Sequence, residues 1–143
     1  MTPQQITAQS YTLPAALALA EAGDRAEQYE TDQAGAARAA CLLLAATVRD
    51  LLTDCDHDAP FDATGLELRL NPGPGTVSAT GYYWTADGER REFQGADDVY
   101  HLQGWAHFLT TDNQDTWEQL CAVQDGGTHT TWYRLDLIRA SAS

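Results

Sequence analysis

The chain has 143 residues, of which 43% are hydrophobic and 20% charged, and its formal net charge is −13. This composition is typical of a globular domain and argues against wholesale disorder. A strongly acidic surface repels the phosphate backbone, which argues against direct binding to nucleic acid. No apolar run approaches the roughly 20 residues that a membrane-spanning helix needs. We therefore expect one domain over residues 1–143 that acts neither on a membrane nor directly on a nucleic acid.

The cysteines and the N-terminal segment indicate a reducing compartment. The three cysteines, Cys41, Cys55 and Cys121, cannot all pair within one chain, and their spacing matches neither CxxC nor a zinc site. The segment MTPQQITAQSYT has neither the positive region nor the apolar core of a signal peptide. We expect free thiols, a cytoplasmic protein and no cofactor.

The N-terminal third predicts a helical region over residues 12–54, preceded by a flexible arm at residues 1–11. Thr12 is a plausible N-cap for a first helix in LPAALALAEAG, and Gly23 is a plausible C-terminal end. Residues 24–33 are polar, so they predict either a linker or an extension of a neighbouring helix.

A second helix is predicted from about Asp32 to about Thr53. Its apolar residues recur at helical spacing, and Arg38, Arg49 and Asp50 fall away from that stripe. The stripe consists of Ala37, Cys41, Leu44, Val48 and Leu52. The central CLLLAA is apolar all round, so this helix should be covered on more than one side.

After residue 64 the hydrophobic period changes from that of a helix to that of a strand. In LELRL the three leucines alternate with Glu67 and Arg69, which should face away from the core. NPGPG predicts a turn, and the strands TVSATGYYWT and RREFQ flank a hairpin turn at Asp87-Gly88. TWEQLCAVQ and THTTWYRLDLI flank a second hairpin at DGG. The predicted core of the sheet is Leu66, Leu68, Leu70, Tyr133, Leu135 and Leu137.

These patterns predict an α+β fold. Two N-terminal helices should pack on an antiparallel β-meander of about five to six strands, which occupies residues 65–139.

The stretch DCDHDAPFD carries four aspartates at alternating or near-alternating positions, namely Asp54, Asp56, Asp58 and Asp62. Its spacing is similar to that of an EF-hand calcium loop, but Ala59 replaces the turn glycine and Gly65 replaces the terminal glutamate. Cys55 and His57 lack a second pair of ligands at matching spacing. We therefore predict no metal ion here. The stretch is either a solvated turn or an acidic contact surface, whose charges at a helix C-terminus a positively charged partner would offset.

The segment HLQGWAHF fits a strand or a helix. In a strand His101 and His107 share one face, whereas in a helix capped by Asp97 they lie about 240° apart. Gly104 and the aromatic residues favour the strand. Two histidines and a carboxylate would suit metal binding or acid–base chemistry, but no catalytic signature accompanies them.

We hypothesise a small, non-enzymatic acidic protein that binds a basic protein or a nucleoprotein complex by charge complementarity. An inhibitor, an immunity protein or a nucleic-acid mimic would fit this description. Exposed aromatic rings would form the centre of the contact and carboxylates its rim. The predicted contact residues are Asp54, Asp56, Asp58, Asp62, Trp84, Asp97, Asp98, Trp105, Asp112 and Asp115.

Two alternatives remain open. One is a small enzyme or ligand-binding domain with a pocket between helices and sheet, using His101, His107 and a carboxylate. The other is an ordinary protein whose acidity reflects the base composition of its genome, since all eight basic residues are arginine. The sequence predicts no particular partner or oligomeric state.

Overall fold

The computed structural model describes residues 9–56, 58–71, 75–126 and 131–142. Its helices are α1 (Ala16–Glu27), α2 (Gln33–Thr53), α3 (Ala96–Ala106), α4 (Gln114–Trp117) and α5 (Leu137–Ser141). Its strands are β1 (Gly65–Asn71), β2 (Thr76–Trp84), β3 (Arg90–Glu92), β4 (Cys121–Gly126) and β5 (Thr131–Asp136). Short 3₁₀ turns at Thr111–Asn113 and Glu118–Leu120 flank α4.

The strands form one antiparallel sheet in the order β3-β2-β1-β5-β4, with β1 at its centre. The β1–β5 pairing runs from Gly65 opposite Asp136 to Leu70 opposite Thr131, so it joins the two ends of the strand region. Two N-terminal helices followed by this sheet confirm the predicted α+β fold.

One face of the sheet packs against α2. Cys41, Leu44 and Val48 of α2 are fully buried in the same hydrophobic core as the inward side chains of β1 and β5. All six predicted core residues of the sheet region are at most 8% exposed. The alternation in LELRL therefore assigned the inward face of β1 correctly, although Leu137 begins α5 and is not part of a strand.

The bounds of α2 agree with prediction, whereas those of α1 do not. The Asp32 side chain caps α2 by accepting a hydrogen bond from the Gly35 N–H. Helix α1 begins after Ala15, which makes no side-chain cap, so Thr12 is not the N-cap. It also continues past Gly23, because Ala22 and Ala26 are buried against α2 and carry the helix through the glycine.

The N-terminal arm and the buried end of α2 also depart from prediction. Residues 1–8 lie outside the described residues, but Tyr11 is buried, with its ring 5.0 Å from that of Phe61. Its hydroxyl donates to the Ala45 carbonyl at 2.6 Å.

Arg49 is also buried and donates two hydrogen bonds to the neighbouring Asp50 carboxylate. Helix α2 is therefore buried on more than one side, as CLLLAA indicated, and its buried surface includes Arg49, which lies outside the predicted apolar stripe.

Residues 96–106 form helix α3, so the strand interpretation of HLQGWAHF is wrong. Leu102, Ala106 and Leu109 are fully buried at spacings of four and three residues, and this burial favours a helix over an exposed strand. Gly104 is exposed within this helix, and a Cβ atom built on it would meet no atom within 4 Å, so no close packing explains the glycine. The region TWEQL is also helical, because β4 begins only at Cys121.

The predicted hairpin turns have different outcomes. Gly88 adopts a φ of 84° between β2 and β3, and its N–H donates to the Thr85 carbonyl, which confirms the first turn. The predicted turn at residues 71–75 falls partly outside the described residues. The turn predicted at DGG is wrong for its first two residues, because Asp125 and Gly126 still belong to β4 and pair with Trp132 and Thr131 of β5, whereas residue 127 lies outside the described residues.

Candidate functional site

A cleft of about 470 Å³ lies between the C-terminal end of α2 and helix α3. Three carboxylates, an imidazole, an indole and an aliphatic side chain are among the groups that line it. They belong to Asp50, Asp54, Asp98, His101, Trp105 and Leu51. The structure thus brings together parts of two acidic segments that are distant in the sequence.

The end of α2 directs Asp54 towards this cleft. Asp54 and Cys55 have φ values of 54° and 64°, the left-handed region that aspartate adopts more readily than most residues. Both of their N–H groups donate to the Asp50 carbonyl and so close the last turn of the helix. Asp50 and Asp54 stand one turn apart, which places their carboxylates on the same side of the helix end.

Helix α3 supplies the opposite wall. Asp98, His101 and Trp105 are spaced three and four residues apart, which aligns them on one side of the helix. Asp97 and Asp98 lie in the first turn, where the helix dipole stabilises a negative charge by about 0.3–1 kcal/mol. Both carboxylates are therefore favourable for the helix, but only Asp98 lines the cleft, whereas Asp97 is exposed outside it.

Trp105 provides the apolar part of the cleft. Its ring stacks on Phe108 at 6.2 Å between centroids, and it packs against both hydrophobic clusters of the fold. The side chain is half-buried, so one part of the indole supports the core and another lines the cleft. An aromatic surface beside carboxylates suits a cationic group with an aliphatic stem.

The remaining aspartates of DCDHDAPFD do not line the cleft. Asp56 and Asp58 are exposed in the turn after α2, where the Asp56 carboxylate accepts the Asp58 N–H at 3.2 Å. Asp62 is half-buried and accepts the Ala86 N–H at 2.8 Å. Asp62 therefore holds the chain before β1 against the β2–β3 turn.

The predicted cluster at residues 112–115 lies near the other end of α2. Asn113 donates to the carbonyl of Gln33, the first residue of α2, whereas Asp54 follows its last residue. The 21 residues of α2 span about 31 Å at 1.5 Å per residue. Asp112 and Asp115 are exposed but are separated from the cleft by much of this length.

Trp84 is not the exposed ring that the sequence suggested. It is 8% exposed, and the Arg134 guanidinium lies 5.2 Å from its ring centroid. The sheet face that turns away from α2 carries arginines above its aromatic rings, which the alternation in TGYYWT could not reveal. Trp105 is thus the predicted contact tryptophan that reaches a cleft.

The two candidate histidines do not converge. His101 lines the cleft, whereas His107 caps the C-terminus of α3 and places its ring 4.0 Å from that of Phe108. This separation follows from the helical geometry of α3. The paired-imidazole site that a strand would have formed is therefore absent from the described part of the chain.

Asp50 and Tyr100 were not among the predicted contact residues. Asp50 lines the cleft, and its spacing of four residues from Asp54 was the available signal. Tyr100 is 77% exposed on α3 beside His101. No sequence pattern distinguishes this tyrosine from those buried in the sheet.

The metal prediction remains open to experiment. In the ranges that the structure describes, which exclude His57, no group of three or more His, Cys, Asp or Glu side chains could hold a metal ion. An ion that binds only the folded state must raise the melting temperature. Because we predict no metal site, we expect calcium or zinc at micromolar concentrations to leave the melting temperature unchanged. A rise of several degrees in a thermal melt would contradict this prediction.

Among the helices described, none combines the length and apolar character needed to cross a bilayer. Comparisons of the chain with protein-family models, curated proteins and solved structures give no match. The charge of the chain and the geometry of its surface are therefore the observations that bear on its function.

Proposed function

We propose that this chain is a small, non-enzymatic acidic protein that recognises a basic protein partner through the cleft between α2 and α3. The observation that supports it best is that Asp54 and Asp98, from separate predicted clusters, line one cleft with Trp105. A lysine or arginine side chain from the partner would place its charge among the carboxylates and its aliphatic stem along the indole.

The net charge supports the same proposal. At −13, the field of the chain steers a positively charged protein towards it and repels nucleic acid. The partner would be a cytoplasmic basic protein or nucleoprotein complex, and the chain would act as an inhibitor, an immunity protein or a mimic of nucleic acid. Asp112 and Asp115, near the far end of α2, would strengthen this field without entering the cleft.

The first experiment identifies the partner and measures the salt dependence of binding. The chain is used to capture partners from its native cell, and the captured protein is then titrated at low and high salt. We expect a basic partner whose affinity falls as salt rises and, if that partner binds nucleic acid, competition by DNA or RNA. An acidic partner, or an affinity that ignores salt, would contradict the proposal.

The second experiment separates contact in the cleft from the long-range field. An Asp54→Asn, Asp98→Asn variant should weaken binding by about tenfold or more, since each loses a charged contact at the centre. An Asp112→Asn, Asp115→Asn variant changes the net charge equally but should weaken binding by less. Circular dichroism checks that both variants fold. Equal losses of affinity would show that the cleft has no special role.

A further inference from the structure

A second cavity of about 410 Å³ lies where β5 runs into α5. Its lining includes Thr64, Leu120, Arg134, Asp136, Ile138 and Arg139. We propose that this cavity binds a small organic acid, with the carboxylate on Arg134 and an apolar body against Leu120 and Ile138. The inference goes beyond the proposed function, because the two cavities share no lining residue.

The position of Arg134 depends on a glycine in the neighbouring strand. A Cβ atom built on Gly65 would lie 2.5 Å from Nε of Arg134 and 2.9 Å from its Cγ. The arginine side chain thus lies across the backbone of β1 in space that any other residue would fill. Gly65 is opposite Trp84 in β2, so the same glycine lets the guanidinium reach the Trp84 ring.

Two contacts hold the guanidinium once it has crossed Gly65. It lies 5.2 Å from the Trp84 ring centroid, and its Nη2 donates to Thr64 Oγ1 at 3.2 Å. A side chain fixed in this way loses little further conformational entropy when a ligand binds. Arg134 is therefore preorganised as a donor.

Arg134 also lacks a carboxylate partner within the described part of the chain, although 21 residues of the sequence are acidic. Glu67 stands opposite it in the β1–β5 register, but the Glu67 oxygens accept hydrogen bonds from Arg90 and Thr80 instead. A fixed guanidinium that makes no ion pair in the described residues is a strong donor for an anion, and its planar fork matches a carboxylate.

The remaining lining residues indicate the size and polarity of the part of the ligand beyond its carboxylate. The Asp136 carboxylate accepts the N–H groups of Ile138 and Arg139 at 3.0 and 3.2 Å, so its charge is directed to the start of α5. Ile138 is 49% exposed, and with Leu120 it gives the cavity an apolar side. The volume lies within the range of about 300–1,000 Å³ typical of small-ligand sites. An acid with a short apolar chain fits these features.

Three probes test the chemistry of the ligand on the full chain. Octanoate, octanol and inorganic phosphate are titrated while the methyl resonance of Ile138 is followed by NMR. We expect saturable binding of octanoate, and binding at least tenfold weaker for octanol, which lacks the charge, and for phosphate, which lacks the apolar body. Absent or non-saturable octanoate binding would overturn the proposal, as would octanol or phosphate binding as tightly as octanoate.

Three variants test the site itself. Arg134→Gln should weaken octanoate binding by about tenfold or more, because it removes a charged hydrogen-bond donor. Gly65→Ala should weaken it similarly by displacing Arg134. The control is Arg69→Gln, since Arg69 lies 5.7 Å from the Trp132 ring and does not line the cavity. Circular dichroism checks that each variant folds. If Gly65→Ala does not fold, octanoate binding by Arg134→Gln alone tests the proposal. Octanoate binding that survives Arg134→Gln, or falls equally in Arg69→Gln, would overturn the proposal.

Discussion

Replacing Trp117 by alanine should lower the free energy of unfolding by about 3–5 kcal/mol. The side chain is fully buried, its ring meets that of Tyr133 edge-on at 5.1 Å, and its Nε1 donates to the Thr110 carbonyl at 2.9 Å. Alanine would leave a cavity and a carbonyl without its donor. Domains of this size are stable by about 5–15 kcal/mol, so the variant should unfold at a much lower urea concentration.

Two further tryptophan variants make this result specific. Trp132→Ala removes a half-buried ring on the other face of the sheet and should cost about 1 kcal/mol. Trp117→Phe keeps an aromatic ring but loses the hydrogen bond, so its cost should lie between the two. A Trp117→Ala variant no less stable than Trp132→Ala would show that Trp117 does not anchor the core.

The sequence could not distinguish Trp117 from the other tryptophans. It lies in a four-residue helix, which is too short to show a helical period, and the surrounding TWEQLCAVQ was predicted as a strand. The contacts that bury it come from Thr110 and from Tyr133 in β5. Its importance thus depends on tertiary packing that no local pattern contains.

Long periodic segments were predictable, whereas α3 was not. The stripe in α2 repeats over about four turns, and the alternation in β1 is unbroken, so each pattern had one interpretation. The helical conformation of α3 depends on packing against elements that are distant in the sequence. The Gln103 side chain accepts the Ala79 N–H at 2.9 Å and donates to the Val77 carbonyl at 3.2 Å, which docks α3 on the backbone of β2.

The same helix explains what was missed at the candidate site. With residues 101–108 taken as a strand, nothing placed Asp98 near Asp54, and the two acidic segments were predicted as separate loops. Asp54 itself was predictable as a charge at the end of α2. The cleft arises only when α3 packs beside that end, a contact between distant parts of the sequence.

Glu67 shows a different limit of the alternating pattern. Its position on the face of β1 away from α2 was predicted, but its side chain is only 7% exposed because Arg90 and Thr80 cover it. Burial alone would raise the pKa of Glu67, but the hydrogen bonds from Arg90 and Thr80 hold that pKa below its usual value. The ion pair therefore stabilises the fold at neutral pH.

The two halves of this pair should have unequal effects when they are replaced. Arg90→Gln leaves a buried carboxylate without its cation and should cost about 2–3 kcal/mol at pH 7. Glu67→Gln removes the buried charge and leaves a guanidinium whose side chain is 46% exposed, so water can solvate it. We expect that change to cost about 1 kcal/mol. Urea unfolding of both single variants and the double variant gives each cost and their coupling.

The cost of Arg90→Gln in unfolding free energy should depend on pH. Because the pKa of Glu67 is lowered in the folded chain, its contribution is present above the unfolded-state value of about 4.3 and is lost as the pH falls through the lower, folded-state pKa. In Arg90→Gln the cation is gone and burial raises the pKa of Glu67, so this carboxylate takes up a proton at a higher pH. The cost of Arg90→Gln should therefore be smaller at pH 4 than at pH 7. The matched control is Arg91→Gln, because the Arg91 guanidinium pairs with the exposed Glu89 and such a pair contributes little to stability. A cost that grows on acidification, or one equal to that of Glu67→Gln at pH 7, would mean that Glu67 is solvated and that the Arg90 pair adds little to the stability of the sheet.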